Sequence, residues 1–403
     1  MEMRPKLLLK MINFRNAVVD ATGGQYKVLK RDYLSEGRIP VIDQGQAFIA
    51  GYANNDDAIF TGKLPVVLFG DHTLALKYVD FPFALGADGV KVLSINNALE
   101  PKYVYYYWQS CAIQSRGYSR HFKYLRDVQI PLIPISEQRR IVEILDQADA
   151  LRKKRSVADA KAARILPALF YKMFGDPATN PKGWPVAPIG EMVTPIERRD
   201  PSDQPEKTFT YIDIAGVDGQ LGVISGAKTM IGEVAPSRAR QIVKTNDVII
   251  STVRPYLRAT ALVPAQYDNQ ICSTGFCVLR ANAGIGFGFL YVLSRVQWFT
   301  VQLNARARGA SYPAVTDADI CNLRVLRPYN QDILKSFDFQ VLDALALLGK
   351  RREATRRLED LFEMILHHAF TGDLTAKWRE VHMKELLHEM EQQVKSLNLR
   401  MQA

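Results

Sequence analysis

Two long stretches of this chain repeat apolar residues at intervals of three and four, which is the spacing of one face of an α-helix. In the first stretch the apolar positions begin at Ile141 and continue to Phe174. Ser136 precedes them and is predicted to be the N-cap. Pro167 is expected to kink this helix rather than end it, because the apolar pattern continues beyond it and stops only before Gly175.

A second stretch with the same spacing begins near Asp332 and ends near Phe370, before Gly372. Its apolar stripe shifts in phase between Arg352 and Leu358, so the two helices need not pair in register along their full length. A long helix with one apolar stripe must bury that stripe. Two such helices in one chain do this most simply by packing against each other in antiparallel orientation.

Mixed strand and helix signals precede each long helix. Residues 65–69 and 248–253 are short apolar runs, largely β-branched, that predict buried strands. Residues 101–114 fit a helix or a strand, and their length favours a helix. Residues 289–302 predict a further helix. Residues 176–185 contain prolines and a glycine, which predicts a linker between the two halves.

The second half of the chain repeats the first. The Leu-Asp pair that begins at Leu145 recurs at Leu342, and each pair is followed by a basic cluster. Upstream, residues 89–93 and 275–279 share the pattern Gly-x-x-Val-Leu. The order of globule, long helix, globule, long helix predicts an α/β (α+β) fold. In this fold two similar globular domains are separated by two long antiparallel helices, with a pseudo-twofold internal repeat. Two similar globules on helices suit a reader of two patches on one extended partner, such as duplex DNA.

Composition and charge agree with a folded protein that binds a polyanion. At 403 residues the chain is long enough for two or three domains, and 47% hydrophobic and 23% charged residues are ordinary values for a folded chain. The net charge is +10 and the isoelectric point is about 9.3. This balance favours nucleic acid, although a merely basic protein would have the same charge.

Cysteine usage and hydropathy exclude several classes of protein. The four cysteines are irregularly spaced, which argues against a disulfide framework. Cys272 and Cys277 have no histidine at zinc-finger spacing, so we expect no metal site and interpret them as small buried hydrophobes. Lys10 interrupts the N-terminal leucine run, and no stretch approaches about 18 uncharged apolar residues. We therefore expect no membrane association and a cytoplasmic location.

No enzyme motif in the sequence has the context that its chemistry requires. Residues 284–288 alternate glycine like a nucleotide-binding loop but lack the strand-to-helix setting. Residues 80–83, Asp-Phe-Pro-Phe, approach the motif of an adenine methyltransferase but differ at its second position. Asp71, Asp80 and Glu100 are the acids that an unrecognised active site could use. A nucleic-acid-modifying enzyme therefore stays open as the alternative function.

Three loops interleave cations with aromatic residues. Residues 116–124 precede the first long helix, residues 306–312 precede the second at the matching position, and residues 254–258 form the third loop. Arginine can bond guanine bidentately, and lysine or tyrosine can hold phosphates. A basic loop that is merely solvated would have a similar sequence. The recurrence of such a loop before each long helix nevertheless favours DNA binding. The mid-helix clusters 152–155 and 350–352 could touch phosphates or form solvated helix faces. The candidate DNA-binding residues are Lys77, Arg116, Tyr118, Arg120, Lys123, Arg254, Tyr256, Arg258, Arg306, Arg308 and Tyr312.

Several motifs follow one another in a distinctive order. They are Phe-Gly-Asp-His-Thr at residues 69–73, Gly-Ala-Asp-Gly at 86–89, Glu-Gln-Arg-Arg-Ile-Val at 137–142, Gly-Trp at 183–184 and Gly-Ala-Ser-Tyr at 309–312. Together they resemble the specificity subunit of Type I restriction-modification enzymes, over nearly the whole chain. One departure is that the second long helix begins with Tyr-Asn-Gln where the first has the Glu-Gln motif.

The resemblance implies a role without catalysis. Such a subunit binds a split duplex DNA sequence, one half per target-recognition domain. Its helices dock two methyltransferase subunits, which use S-adenosylmethionine, and a restriction subunit can join them. The chain itself would then hold no cofactor. A scaffold whose basic loops bind acidic proteins is a third reading. The implied divisions are a first target-recognition domain at 1–133, a first spacer helix at 134–175, a linker at 176–185, a second target-recognition domain at 186–328, a second spacer helix at 329–375 and an amphipathic tail at 376–403.

Overall fold

The structure is a computed structural model that describes residues 10–86, 89–111, 113–114, 117 and 119–397. The chain divides into two compact units. Unit 1 contains the residues up to Arg155 and those from Thr355 onward, and unit 2 contains Ser156–Ala354. Each long helix contributes one part to each unit.

The first globular region, before the first long helix, combines small sheets with short helices. Its main sheet has the strand order β2-β8-β5-β6, with all neighbours antiparallel. In a second sheet β3 pairs with β4 antiparallel and with β7 parallel, and β1 pairs with β9. The elements are β1 (Lys10–Ile12), α1 (Phe14–Ala17), β2 (Val18–Asp20), β3 (Ile39–Ile42), β4 (Gly51–Ala53), β5 (Val66–Gly70), β6 (Leu76–Val79), β7 (Ala84–Leu85), β8 (Val90–Ile95), α2 (Pro101–Ser110), α3 (Phe122–Asp127) and β9 (Ile130–Leu132).

The first long helical segment is divided into α4 (Ile135–Ala163) and α5 (Ile165–Phe174). The interruption lies at Arg164, just before Pro167. Proline lacks the N–H that would bond to the carbonyl one turn earlier, and its ring crowds that carbonyl. The helical pattern continues beyond the interruption to Phe174, so Pro167 interrupts the segment without ending it, as expected. The segment ends at Gly175, whose φ of 86° lies in the left-handed region that glycine adopts without strain.

The N-terminus of α4 is capped from a distant part of the chain. The predicted N-cap, Ser136, lies inside the first turn of the helix, so that prediction is wrong. The Ser136 N–H and Oγ donate to Glu389 Oε2, at 3.1 and 2.8 Å. The Ile135 N–H donates to Gln393 Oε1 at 3.1 Å. Side chains of the C-terminal tail therefore satisfy the unpaired donors of the first turn.

The second globular region follows the linker and contains a larger set of strands. Its main sheet has the order β11-β20-β17-β18, and a second sheet has the order β15-β12-β19-β16. The elements are β10 (Val186–Pro188), β11 (Val193–Thr194), β12 (Thr208–Ile212), β13 (Val217–Asp218), β14 (Val223–Ile224), β15 (Lys228–Ile231), β16 (Ala239–Val243), β17 (Val248–Ser251), β18 (Thr260–Leu262), β19 (Gln270–Ser273), β20 (Phe276–Ala281), α6 (Phe287–Leu293), α7 (Gln297–Asn304), α8 (Asp317–Cys321) and β21 (Arg324–Leu326).

The pairing of strands repeats between the two globular regions. The order β11-β20-β17-β18 reproduces β2-β8-β5-β6, again with antiparallel neighbours. β12 pairs antiparallel with β15 and parallel with β19, as β3 does with β4 and β7. β10 pairs with β21 as β1 does with β9. The predicted mixed fold with an internal repeat is confirmed.

Two predictions for the helices of these regions had different outcomes. Residues 101–110 form the predicted helix, α2. Residues 289–302 were expected to form one helix but belong to two, α6 and α7. Arg295 lies between them and donates to the carbonyls of Thr260 at 3.2 Å and Gln220 at 2.7 Å. These hydrogen bonds fix Arg295 between the two helices. They involve residues distant in the chain, so the local apolar periodicity could not predict them.

The second long helix, α9 (Gln331–Thr371), is continuous through the shift in its apolar phase. It begins close to the expected Asp332, and Asn330 Oδ1 accepts the N–H groups of Asp332 and Ile333, each at 3.1 Å. The tail continues as α10 (Ala376–Val381) and α11 (Met383–Ser396). Among the residues that the structure describes, no helix has the length and apolar character needed to cross a membrane.

The C-terminal tail packs on unit 1. Val394 of α11 belongs to the same buried cluster as Tyr103 and Trp108 of α2, Leu145 of α4 and Phe362 of α9. Most of the amphipathic face predicted for the tail is therefore buried within this chain, with Leu387 as an exposed exception. The tail completes the core of unit 1 and also caps its long helix.

In unit 2 the two long helices run antiparallel. Near the boundary of the unit, Arg351 Nε and Nη2 donate to Asp159 Oδ1 at 2.9 and 2.7 Å. Further along, the rings of Phe170 and Phe337 lie 6.2 Å apart. From the first contact to the second, the residue number rises from 159 to 170 in the first helical segment and falls from 351 to 337 in α9. The two helices are therefore antiparallel, as predicted.

In unit 1 a basic cluster of α4 also contacts α9. Arg152 forms an ion pair with Glu359 and lies 4.1 Å above the centre of the Phe362 ring. Lys153 pairs with Asp149 at 2.8 Å on its own helix. Arg152 and Arg351 of the mid-helix basic clusters therefore join the two long helices, whereas Lys153 is solvent-exposed.

Candidate nucleic-acid interface

The end of β5 brings two loops of unit 1 together. We call residues 71–75, which follow this strand, the sheet loop, and residues 119–121, which precede α3, the helix loop. The N–H of Asp71 donates to the carbonyl of Gly89 at 2.7 Å, and the Asp71 carbonyl accepts the N–H of His121 at 2.8 Å. These two bonds extend the sheet by one residue and fix the end of the helix loop beside the sheet loop.

Unit 2 repeats this arrangement at the end of β17. Its sheet loop is residues 252–259, and its helix loop is residues 305–315. The N–H of Thr252 donates to the carbonyl of Gly275 at 2.9 Å, and the Thr252 carbonyl accepts the N–H of Val315 at 2.8 Å. The two pairs of loops therefore lie at equivalent ends of equivalent sheets, and three of these four loops overlap the segments that sequence analysis selected.

Arg254 and Tyr312 form the contact between the two loops of unit 2. The Arg254 N–H donates to the carbonyl of Pro313 at 2.7 Å. Its guanidinium carbon lies 4.5 Å from the centre of the Tyr312 ring, and Tyr312 is 68% exposed. Arg254 has a φ of 50°, an unusual backbone conformation for a residue with a side chain. The fold thus holds a cation and an aromatic ring together at a solvent-facing position, as sites that contact nucleic acid require.

Arg308 is held by the helix that follows its loop. Its two terminal nitrogens lie 3.2 Å from the two carboxylate oxygens of Asp319. Asp319 also accepts the Thr316 N–H and hydroxyl in a capping box at the start of α8. These hydrogen bonds from Thr316, with the charge of Arg308, lower the pKa of Asp319. The exposed guanidinium of Arg308 is therefore oriented before any partner binds.

The remaining candidates of unit 2 divide into exposed and anchored residues. Tyr256 is 50% exposed at the tip of the sheet loop, and Arg258 ends that tip with a φ of 53°. Arg306 donates to the carbonyl of Gln302 at 2.8 Å and to its side-chain oxygen at 3.1 Å. Arg306 therefore lies against the end of α7.

In unit 1 a buried histidine positions the basic candidates. His121 is fully buried, with Nδ1 3.0 Å from the Asp71 carbonyl oxygen, and the Phe122 N–H donates to Asp71 Oδ1 at 2.8 Å. Arg120 and Lys123 on either side are exposed, and Lys123 Nζ lies 4.9 Å from the centre of the Tyr124 ring. Both candidates therefore face solvent at the end of the helix loop.

Three other predicted residues of unit 1 differ in their placement. Arg116 and Tyr118 lie outside the residues that the structure describes. Lys77 is only 4% exposed, and its ammonium group donates to the carbonyls of Asp43 at 2.8 Å and Ala47 at 2.6 Å. Burial lowers the pKa of this ammonium group. Lys77 thus positions the loop at residues 43–47, a role that its sequence neighbours do not indicate.

A basic cleft that sequence analysis missed lies beside α3. Arg15, Lys123 and Arg126 line an open cavity of about 460 Å³, together with Asp127. Lys123 and Arg126 are three residues apart, which places them on one face of α3. This spacing could have indicated a basic face from the sequence. Arg15 belongs to α1, and only the tertiary structure brings it to the same cleft.

Of the acids that an unrecognised active site could use, Asp71 and Asp80 lie at opposite ends of the β5–β6 pair. Asp71 is buried and accepts a backbone hydrogen bond, Asp80 is exposed, and Glu100 Oε2 lies 3.8 Å from Arg139. Within the described residues, no group of three His, Cys, Asp or Glu side chains is placed to hold a metal ion.

The glycine-rich run at residues 284–288 serves helix packing. The N–H of Gly288 donates to Asp338 Oδ1 on α9 at 2.7 Å. A side chain on Gly286 or Gly288 would collide with the Asp338 carboxylate, because an added Cβ would lie 2.7 or 2.9 Å from Oδ1. The glycines therefore allow α6 to approach α9 closely.

Comparisons with known proteins support the resemblance. Residues 14–157 match the family model of the Type I restriction modification DNA specificity domain. The specificity subunit of a Type I restriction enzyme from Escherichia coli is 31% identical over 140 residues, which cover 32% of this chain and 35% of that protein. The HindI specificity subunit from Haemophilus influenzae is 25% identical over 138 residues, which cover 34% and 29%. The chain thus spans about a third of the length of the curated relatives that it matches.

A solved structure with a similar fold covers nearly the whole chain. The S subunit of a Type I restriction-modification system from M. genitalium matches 92% of this chain and 98% of its own, with a TM-score of 0.56 and 14% identity. The HsdS subunit from Thermoanaerobacter tengcongensis is 44% identical over 44% of each chain, with a TM-score of 0.37. The family model and the curated relatives confirm the resemblance to Type I specificity subunits.

Proposed function

We propose that this chain, which carries a Type I restriction modification DNA specificity domain over residues 14–157, is the DNA-recognition subunit of a Type I restriction-modification complex. It binds a bipartite duplex sequence, with one recognition domain on each half. The observation that carries this proposal is the repeated pair of loops at the ends of β5 and β17. A duplicated binding surface is what a split target requires.

Charge and chemistry at these loops support duplex DNA as the ligand. Arg120 and Lys123 in unit 1, and Arg254 and Arg308 in unit 2, carry positive charge at the loops. Arginine supplies bidentate contacts to guanine, and the cleft around Arg126 suits a phosphate group. Most of the affinity then comes from phosphates, so binding weakens steeply as salt increases.

Catalysis belongs to partner subunits in this proposal. Methyltransferase subunits, two in number, bind S-adenosylmethionine and modify adenine, and a restriction subunit joins the complex. Asp71 and Asp80 lie at opposite ends of the β5–β6 pair, which supports a role for the chain in recognition. The complex works in the cytoplasm, where the DNA of a bacterial cell lies.

Genome-wide mapping of methylated adenines tests the proposal. The chain is co-expressed with its methyltransferase subunit, as wild type and as the Arg254→Ala and Arg120→Ala variants. We expect wild type to mark a two-part motif. Each variant should relax or lose specificity in one half only, and the two variants should affect different halves. An uninterrupted motif, or equal effects of both variants on both halves, would contradict the proposal.

A further inference from the structure

Two cysteines on neighbouring elements of unit 2 face each other. Cys277 lies on β20 and is buried, and Cys321 is the last residue of α8 and is half-buried. Both line an open surface cavity of about 290 Å³ beside Gly190. An added Cβ on Gly190 would lie 3.5 Å from the Cys321 Cβ, so the glycine leaves this side of the cavity open.

The two thiols are hydrogen-bonded to each other and have unequal acidities. The Cys277 thiol donates to the Cys321 sulfur, and this bond lowers the pKa of Cys321, although burial and Asp317 act in the opposite direction. The same bond, together with burial, raises the pKa of Cys277. A lower pKa gives Cys321 a larger share of the nucleophilic thiolate than its neighbour has.

We propose that Cys277 and Cys321 form a reversible redox site, at which a peroxide oxidises the two thiols to a disulfide that joins β20 to α8. Cys321 is the attacking residue, because it is the one half-exposed at the cavity. Cys277 is the resolving residue, because its thiol is buried and lies against Cys321. The oxidant enters from solvent through the cavity.

The reaction balances as two steps. The Cys321 thiolate attacks one oxygen of hydrogen peroxide, the O–O bond breaks, and a sulfenic acid and hydroxide form. The Cys277 sulfur then attacks the Cys321 sulfur, the S–S bond forms, and the S–OH bond breaks. The proton of Cys277 joins the departing hydroxide as water. Overall, two thiols lose two electrons and two protons, and one peroxide becomes two waters.

The other two cysteines lack this arrangement. Cys272 is fully buried in a different core cluster, where burial raises the pKa of its thiol. Cys111 belongs to unit 1, and burial also raises its pKa. Both serve as internal controls, because they experience the same oxidant in the same molecule.

The site is connected to the recognition loop of unit 2. α8 carries Cys321 at its last residue and Asp319 within it, and Asp319 holds the guanidinium of Arg308. A bond from α8 to β20 would therefore change the position or freedom of Arg308. This consequence for DNA rests on the proposed function, whereas formation of the disulfide does not.

Peptide mass spectrometry of the peroxide-treated full chain tests the site itself. Wild type should lose two of its four thiols and yield a linked peptide that contains Cys277 and Cys321, which dithiothreitol reverses. Cys321→Ala should reduce this loss at least tenfold. Cys277→Ala should instead accumulate a sulfenic acid on Cys321 that dimedone traps. Dimedone labelling of wild type during oxidation reports on Cys321 without any substitution, in case a variant folds poorly.

Control variants and a second measurement sharpen the test. Cys272→Ala and Cys111→Ala should oxidise like wild type. A linked peptide that contains Cys272 or Cys111, or no linked peptide at all, would overturn the proposal. Duplex DNA binding of the reduced and oxidised chains is then compared, and we expect at least a threefold change that dithiothreitol reverses. Absence of DNA binding in both states would refute the proposed function and leave the redox site standing. Equal binding in both states would refute only the link to Arg308.

Discussion

Arg379 donates two hydrogen bonds to a single carboxylate oxygen of Glu137, from Nε at 2.8 Å and from Nη2 at 2.6 Å. The hydroxyl of Thr375 donates to the same oxygen at 2.5 Å. Glu137 is fully buried. This cluster joins the C-terminal tail to the first turn of α4, and the cation and hydrogen-bond donors offset the cost of burying a carboxylate there.

Removing the cation should destabilise unit 1. In Arg379→Met, Glu137 remains buried without its partner, and we expect a loss of about 3–5 kcal/mol of unfolding free energy. Urea unfolding combined with hydrogen exchange of the α4 peptides would measure this loss and locate it in unit 1. The double variant Glu137→Leu with Arg379→Met should recover most of it, because both charges are then absent.

The matched control for that experiment is the exposed pair of Arg140 and Glu143, which lies on the same helix with a separation of 2.6 Å. Arg140→Met should cost less than about 1 kcal/mol, since solvent screens exposed pairs. A loss for Arg379→Met no larger than that for Arg140→Met would show that the tail does not depend on the buried pair.

Arg254→Ala should weaken binding of the chain to its duplex target. The substitution removes the cation held over Tyr312, and loss of a base contact costs about 1–3 kcal/mol, or roughly 5- to 150-fold in affinity. Fluorescence anisotropy at fixed salt measures the change. Lys207→Ala is the control, because Lys207 is exposed in unit 2 but lies outside both loops. Equal weakening by the two variants would indicate a general charge effect only.

Arg126→Ala should weaken binding uniformly over sequences and reduce its salt dependence. If Arg126 contacts one phosphate, the slope of log affinity against log salt should fall by about one unit. The measurement is a titration of specific and unrelated duplexes at several salt concentrations. An effect confined to the specific duplex would show that the cleft reads bases instead.

Substitutions of Asp71 test whether this carboxylate has a structural role or a catalytic one. Asp71→Ala removes the acceptor of the Phe122 N–H, and we expect a loss of about 1–3 kcal/mol in the stability of unit 1. Asp71→Asn keeps an acceptor oxygen and should retain most of the stability and the methylation activity of the assembled complex. Thermal unfolding and methylation assays report the two properties, with Asp80→Asn as an exposed control. Normal stability of Asp71→Asn with abolished activity would support the alternative of an active site in this chain.

Asp338 should make the stability of unit 2 depend on pH. Burial raises the pKa of its carboxyl to about 6, against the opposing hydrogen bonds from Gly288 and Phe287. The folded state therefore holds a proton that the unfolded state releases at lower pH. This contribution to stability is fully present below the unfolded pKa of about 4 and is lost as the pH rises through about 6.

Asp338→Asn should remove this dependence, because the amide is neutral at every pH and its oxygen can still accept the Gly288 N–H. Urea midpoints between pH 4.5 and 7.5 would show it as a flatter curve than that of wild type. Asp343→Asn, at an exposed position of the same helix, should follow wild type. Identical pH curves for wild type and Asp338→Asn would contradict the assignment.

Local patterns in the sequence were sufficient for the repeat and for the two long helical segments. The spacing of Ile141 and its successors follows from contacts one helical turn apart, which any helix of that sequence must form. The interleaved cations and aromatics around Arg120 and Arg254 were likewise visible, because they are neighbours along the chain. The strand pairing then placed them at equivalent ends of two sheets.

Contacts between distant parts of the chain decided the rest. Glu389 caps α4 in place of the predicted Ser136. Arg295 lies between two helices that the apolar periodicity predicts as one. Lys77 is buried and donates to the carbonyls of Asp43 and Ala47. The pairing of Cys277 with Cys321 is of the same kind. The free energy of these contacts depends on which groups the fold brings together and removes from water, and residue spacing along the chain carries no record of that.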